Sequence, residues 1–137
     1  MMLNLEPLAA LAANEMVIRD AANDSENIIT KSLAVLAEQG LYAFGLFLAT
    51  RKRKQDEKAA GRIDDEVRRL VKACGLCEET RAPDMPTFYR SLTAQQSGES
   101  PAEALHRILL TKQLLETTLT YGRYAAKAAK VADAGHG

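Results

Sequence analysis

The amino-acid sequence predicts an all-α protein, a compact bundle of about five to six helices that ends in one long helix. Three observations predict it. Alanine, leucine and long polar residues dominate, while valine and isoleucine are sparse. Alternation of period two, the mark of a half-buried strand, is absent along the chain. Ser100–Pro101–Ala102–Glu103 is a complete helix start, with Ser100 as N-cap, Pro101 at the first helical position and Glu103 reaching back as a capping box.

The first helix is predicted over Leu5 to Ala22, ending in the turn-prone Asn23–Asp24–Ser25. The second takes Asp24 or Ser25 as its cap and carries Ile28, Leu33, Leu36 and Ala37 inward to about Gln39. Gly40 then separates it from a run, Leu41 to Ala49, that is apolar on every side; such a helix is buried, so it is the expected centre of the bundle, continuing through the cations as far as Gly61. Beyond Gly61 the next helix turns Ile63, Val67, Leu70 and Val71 inward, with Asp64, Asp65 and Glu66 in its first turn, where the helix dipole favours acids. Gly75 followed by Leu76 reads as a Schellman stop.

Residues 78–86 form a loop, and Thr87 to Gln95 a short helix packing Phe88 and Leu92. Nothing firmly interrupts the last helix between Ser100 and Gly135, which allows a length of roughly 50 Å at 1.5 Å per residue. Its apolar arc takes in Ile108, Leu114, Leu115, Leu119, Tyr121, Ala125, Ala126 and Ala129. The whole chain, 1–137, is expected to be one helical domain with a flexible tail over about 133–137.

At 137 residues, 47% hydrophobic and 26% charged, the chain has enough apolar material for one soluble core. The run Leu41 to Ala49 abuts Arg51, Lys52, Arg53 and Lys54 as a stop-transfer segment would, but a spanning helix needs about 20 apolar residues. With no basic leader and cleavage site at the start, the expected location is the cytoplasm. Cys74 and Cys77 stand in one CGLC with no second pair, and His106 and His136 are isolated, so no structural zinc site with four ligands is predicted and no cofactor is expected.

The formal net charge is zero, but residues 1–50 hold two Lys/Arg against six Asp/Glu, and residues 51–72 nine against five. On a helix continuing from Leu41, Arg51, Lys54 and Lys58 share one stripe, while Lys52 and Arg53 point elsewhere. On the last helix Lys112, Glu116, Arg123, Lys127 and Lys130 fall within about 60° of one another. Two readings stand for both groups. Cations near a helix C-terminus complement its dipole and keep a surface soluble. Alternatively Arg51, Lys54, Lys58, Lys112, Arg123 and Lys127 meet the phosphates of a nucleic acid, a reading strengthened by the lack of any acid between Glu116 and Asp133 to make i,i+4 pairs. Tyr121 falls in the apolar arc and reads as core; Tyr124 lies on the flank.

Catalytic hardware is missing from the sequence. Asp64, Asp65 and Glu66 are successive and point different ways, His106 has only Glu103 near it, and no phosphate loop, nucleophile elbow or HExxH is present. The expectation is a binding or assembly subunit without enzymatic activity.

Two stretches carry a family resemblance: Ser32 to Leu48, "SLAVLAEQGLYAFGLFL", a helix ending in Gly-Leu before an apolar helix with alanine and phenylalanine, and Leu109 to Lys130, "LLTKQLLETTLTYGRYAAKAAK", a long amphipathic helix with aromatic and basic residues near its end. Together they resemble the small all-helical subunit of type III-B CRISPR effectors, the Cmr small subunit. The resemblance implies a non-catalytic scaffold in several copies, stacked in a minor filament beside the guide-bearing subunits. It also implies contacts with target RNA or guide–target duplex that are independent of sequence. The acidic first third and basic middle would then dock head to tail. A second reading is a helical adaptor or chaperone that binds a partner protein without nucleic acid; a third uses Cys74 and Cys77 for redox or metal chemistry. Contact with about five single-strand phosphates predicts a slope of log K against log salt near −3.5.

Overall fold

The computed structural model describes residues 5–51, 53–77 and 80–136, without the side chains of 133–136. Six helices make up the described residues: α1 (Glu6–Met16), α2 (Ala22–Gln39), α3 (Leu41–Ala49), α4 (Lys54–Ala73), α5 (Met85–Thr93) and α6 (Pro101–His136). A short 3₁₀ turn, Arg19–Ala21, joins the first two. The protein is all-helical and its last helix is the longest. The backbone is helical as far as His136, and the tail expected over 133–137 falls on residues whose side chains lie outside the described part.

Between Met16 and Ala22 the boundary differs from the expectation. The chain breaks at Val17 and Ile18, both β-branched and both extended, and α2 runs straight through Asn23–Asp24–Ser25. Ser25 does not cap α2. It is buried, and its Oγ accepts the Ile18 N–H at 3.1 Å, so the hydroxyl serves the preceding turn. Asp24 sits inside the first turn of α2 instead of before it.

Gly40 divides α2 from α3 as expected. Its φ of +96° is a conformation that side chains with a Cβ rarely adopt, and its N–H and C=O bond Leu36 and Phe44, ending one helix and starting the next. The following helix is shorter than predicted. The break falls at Thr50–Arg53, where Thr50 Oγ1 and Arg51 Nε both donate to the Phe47 carbonyl, at 2.9 and 3.2 Å. These side-chain bonds satisfy a terminal acceptor and let α3 stop. Gly61, the expected breaker, lies within α4, where a Cβ would meet nothing within 4 Å. Asp64, Asp65 and Glu66 are therefore mid-helix, not in a first turn.

The Schellman stop is present: Leu76 N bonds Val71 O and Gly75 N bonds Lys72 O, with Gly75 at φ +67°. Helix α5 begins two residues earlier than predicted because Asp84 caps it, its carboxylate accepting from Thr87 N at 3.0 Å. At α6 both halves of the capping box form, Ser100 N to Glu103 Oε1 and Glu103 N to Ser100 Oγ, each at 3.1 Å.

The core is arranged in layers. Helices α1 and α2 lie in the middle, each packed against α6 on one side and α4 on the other, while α3 and α5 pair at one end. The hub is thus α6 with α2, not α3. Only Leu41, Phe44, Gly45 and Leu48 of α3 are buried; Leu46 is 38% exposed, and Tyr42 and Phe47 are half-buried. Tyr89 of α5 fills the space above Gly45, edge-on to Phe44 and Phe88 with ring centroids 5.5 and 4.8 Å away.

One cation is structural. Arg107 of α6 is buried; its guanidinium bonds the carbonyls of Leu92 (2.8 Å) and Ala94 (2.6 Å) and the carboxylate of Glu99 (2.8 Å), and reaches Leu76 O at 3.4 Å. It ties the end of α5 and the loop after it to the long helix.

Candidate nucleic-acid interface

The six residues expected to meet phosphates separate into two patches. Arg51, Lys54 and Lys58 do not share a continuous helical stripe, because the chain turns between α3 and α4. Arg51 folds back on α3: its guanidinium lies 4.2 Å from the Phe47 ring centroid and also donates to Thr50 Oγ1 at 3.2 Å. Arg51 thus completes the C-terminal end of a helix, as the dipole reading holds. Lys54 is different. It opens α4, preceded by the exposed Arg53 as N-cap residue, with Lys58 one turn on and exposed. At a helix N-terminus the dipole opposes a cation. Among the described residues no carboxylate forms an ion pair with Arg53, Lys54 or Lys58.

On α6 the cations have neighbours that no linear pattern gives. Lys112 Nζ reaches the Ala37 carbonyl at the end of α2 (3.3 Å) and Glu116 (3.6 Å). Lys130 pairs with Glu26 of α2 at 2.8 Å. The hydrogen bond from Lys130 holds the Glu26 carboxyl below its ordinary range, assisted by the charges of Lys130, Lys127 and Arg123. Acids that α6 lacks on this face are thus supplied by α2. Arg123 is half-buried with its Nε buried and unpartnered, and Lys127 is exposed. Around Glu26 three cations face one carboxylate.

The patches sit on α4 and α6, with the α1/α2 layer between them. Tyr121 is half-buried, its hydroxyl donating to Glu6 at 3.2 Å, while Tyr124 is 64% exposed. Cys77 is buried and Cys74 half-buried. Among the described residues no group of three or more His, Cys, Asp or Glu side chains is placed to hold a metal, and no helix is long and apolar enough to cross a membrane.

No family model matches this chain, and neither a curated protein nor a solved structure matches it.

Sequence reasoning passed over the polar cluster between α4 and α5. Asp64 is 6% exposed and pairs with Arg68 at 3.0 Å; Arg68 in turn donates to the carbonyls of Thr80 and Ala82 and lies 4.6 Å from the Phe88 ring centroid. Burial pushes the Asp64 carboxyl above its usual range although Arg68 stands beside it, and burial followed by the Asp64 charge raises the Tyr89 hydroxyl strongly. Asp64 Oδ1 and Tyr89 Oη are both buried and make no hydrogen bond of good geometry, although the two side chains interact with each other. The i,i+4 spacing of Asp64 and Arg68 was a visible signal for the pair; the burial was not. Asp64 is buried and Arg68 half-buried, and through Arg68 the cluster acts as a clasp on residues 80–82.

Proposed function

We propose that this chain is a non-catalytic structural small subunit of a type III CRISPR RNA-guided effector complex. In that role it stacks in several copies in a minor filament, beside other subunits of the effector. Its basic helix faces hold the backbone of target RNA or guide–target duplex, independent of sequence, in the cytoplasm and in antiviral defence. One observation carries this reading: Arg53 and Lys54 at the N-terminus of α4, where the dipole opposes cations, and Lys58 one turn on are exposed and without an ion pair to any described carboxylate, although Asp56 and Glu57 lie in the same first turn. Cations held so are relieved by an external polyanion. The fold supports it further, since exposed basic groups stand on two separate helices, Lys54 and Lys58 on α4 and Lys127 on α6.

With Arg51 held on Phe47, Arg123 half-buried, and Lys112 and Lys130 engaged internally, the exposed cations left on these two patches are four, Arg53, Lys54, Lys58 and Lys127. The salt slope on single-stranded RNA then falls to about −2.8, at about −0.7 per phosphate, and to about −1.4 in Lys54→Gln/Lys58→Gln. Affinity purification of the tagged chain from its native host, with mass spectrometry and RNA sequencing, tests the assignment. Recovery of larger effector subunits and short guide RNAs supports it; recovery of an unrelated protein and no RNA rejects it.

The adaptor reading also has an observation in its favour. A groove of about 340 Å³ between α1 and α4 is lined by Leu8, Leu11, Ala12, Leu70 and Ala73, with Glu15 and the Glu66–Arg69 pair alongside. A helix with an apolar stripe and a cation would suit it. The same purification separates the two readings.

A further inference from the structure

Helix α3 carries no charged residue, yet the fold covers one side of it. Leu41, Phe44, Gly45 and Leu48 face the core. At about 100° per residue, Ala43, Leu46 and Thr50 lie on the opposite side, flanked by Tyr42 at one edge and Phe47 at the other. Each flanking ring carries a guanidinium. Arg90, from α5, stands 5.8 Å from the Tyr42 centroid and donates to its hydroxyl at 3.3 Å; Arg51 stands 4.2 Å from the Phe47 centroid. Among the described residues neither guanidinium has a carboxylate in an ion pair. The acid whose charge Arg90 senses is Asp84, whose carboxylate is occupied in capping α5. Past Arg51, and past Lys52, which lies outside the described residues, come Arg53 and Lys54 at the start of α4, with Lys58 one turn on after Asp56 and Glu57.

An apolar strip edged by two aromatic rings, each with a guanidinium beside it, and followed in the chain by cations without a described ion pair, has the chemistry of a surface for bases and phosphates together. Aromatic rings and guanidinium planes both stack on bases without regard to sequence. We propose that the solvent face of α3, Tyr42, Leu46 and Phe47 with Arg90 and Arg51 at its edges, is a platform for the unpaired bases of a single-stranded RNA. The proposal rests on the RNA-binding reading above and makes it narrower: a duplex hides its base faces and meets only the cations.

The test uses the full chain with three probes: a short unstructured oligoribonucleotide carrying 2-aminopurine, its blunt duplex, and inorganic polyphosphate as an anion without bases. The wild-type chain is expected to quench the 2-aminopurine and to prefer the single strand over the duplex by about tenfold. Tyr42→Leu/Phe47→Leu keeps apolar bulk but removes the rings. It should lower single-strand affinity about fivefold or more, the effect of losing one stacked base, while duplex and polyphosphate binding and the salt slope stay as they were. Leu46→Glu, at an exposed position that leaves the core alone, should abolish the preference if the double variant does not fold. Lys54→Gln/Lys58→Gln should instead weaken all three probes.

Equal affinity for single strand and duplex overturns the platform while leaving backbone binding intact. So does an unchanged preference in both α3 variants. Loss of a co-purifying protein in Leu46→Glu, with RNA binding unaltered, assigns the face to that protein and overturns the proposal. Failure to bind any of the three probes overturns both this inference and the parent reading.

Discussion

Replacing two glycines by alanine, one at a time, should move stability in opposite directions. At Gly45 an added Cβ would stand 2.6 Å from the Cβ of Tyr89 and nearer still to its ring. Carbon atoms rest at about 3.5–4.0 Å, so α3 and α5 must separate by roughly 1 Å or the ring must leave. The ring is fully buried and wedged edge-on between Phe44 and Phe88, so it has nowhere to swing. Overpacking of this kind costs about 1–3 kcal/mol or more, against a helix-propensity gain of just under 1 kcal/mol. Because the ring cannot move aside, the upper part of that range applies, about 2–3 kcal/mol, and the net expectation for Gly45→Ala is a loss of about 1–2 kcal/mol. At Gly61, helical and open around its missing Cβ, only the gain applies, about 0.5–1 kcal/mol. Urea unfolding followed by far-UV circular dichroism should therefore place the two variants about 1.5–3 kcal/mol apart, with wild type between them. Tyr89→Leu in the Gly45→Ala background should recover part of the loss, because the two residues are in contact. If Gly45→Ala proves at least as stable as Gly61→Ala, the close packing of α3 on α5 is wrong. If Gly61→Ala is destabilising, α4 does not run unbroken through that position.

Other residues give further checks. Arg107→Leu removes the donors of two backbone carbonyls at the end of α5, at about 1–3 kcal/mol each; a thermal melt unchanged from wild type would remove Arg107 from its structural role. Ser100→Ala takes away the acceptor for Glu103 N and should cost about 1 kcal/mol by the same measurement. Asp64 titrates above its ordinary value in the fold because of burial. Its contribution is therefore fully present below the unfolded pKa, about 3.8 to 3.9, and is lost as pH rises through the higher folded value. Asp64→Asn should gain stability relative to wild type as pH rises over that window, and a relative loss in urea midpoints from pH 3.5 to 7 would reverse the assignment.

The contrast between sequence and structure is sharpest at Ser25 and Glu116. In isolation Ser25 resembles a cap, and the gap in acids after Glu116 resembles a free basic face. Both impressions depend on counting only neighbours along the chain. In the folded protein Ser25 Oγ belongs to Ile18, and Glu26 of α2 fills the gap opposite Lys130. Gly61 misled for a related reason: a glycine weakens a helix by less than 1 kcal/mol or so, and tertiary burial of Ala59, Ala60, Ile63 and Val67 on either side of it outweighs that cost.

Helical class, the glycine at the α2–α3 junction, the Schellman turn at Gly75 and the capped start of α6 were determined by the sequence alone. Each rests on interactions among residues within about five positions of one another, which periodicity and local chemistry report directly. Only the tertiary structure decided which helix is the hub, which cations are engaged, and that one side of an uncharged helix stays in water. Those outcomes follow from contacts between residues as much as 115 positions apart, as in Tyr121 with Glu6, or 104, as in Lys130 with Glu26. A local pattern shows which side chains share a face; the packing of distant helices decides what that face meets.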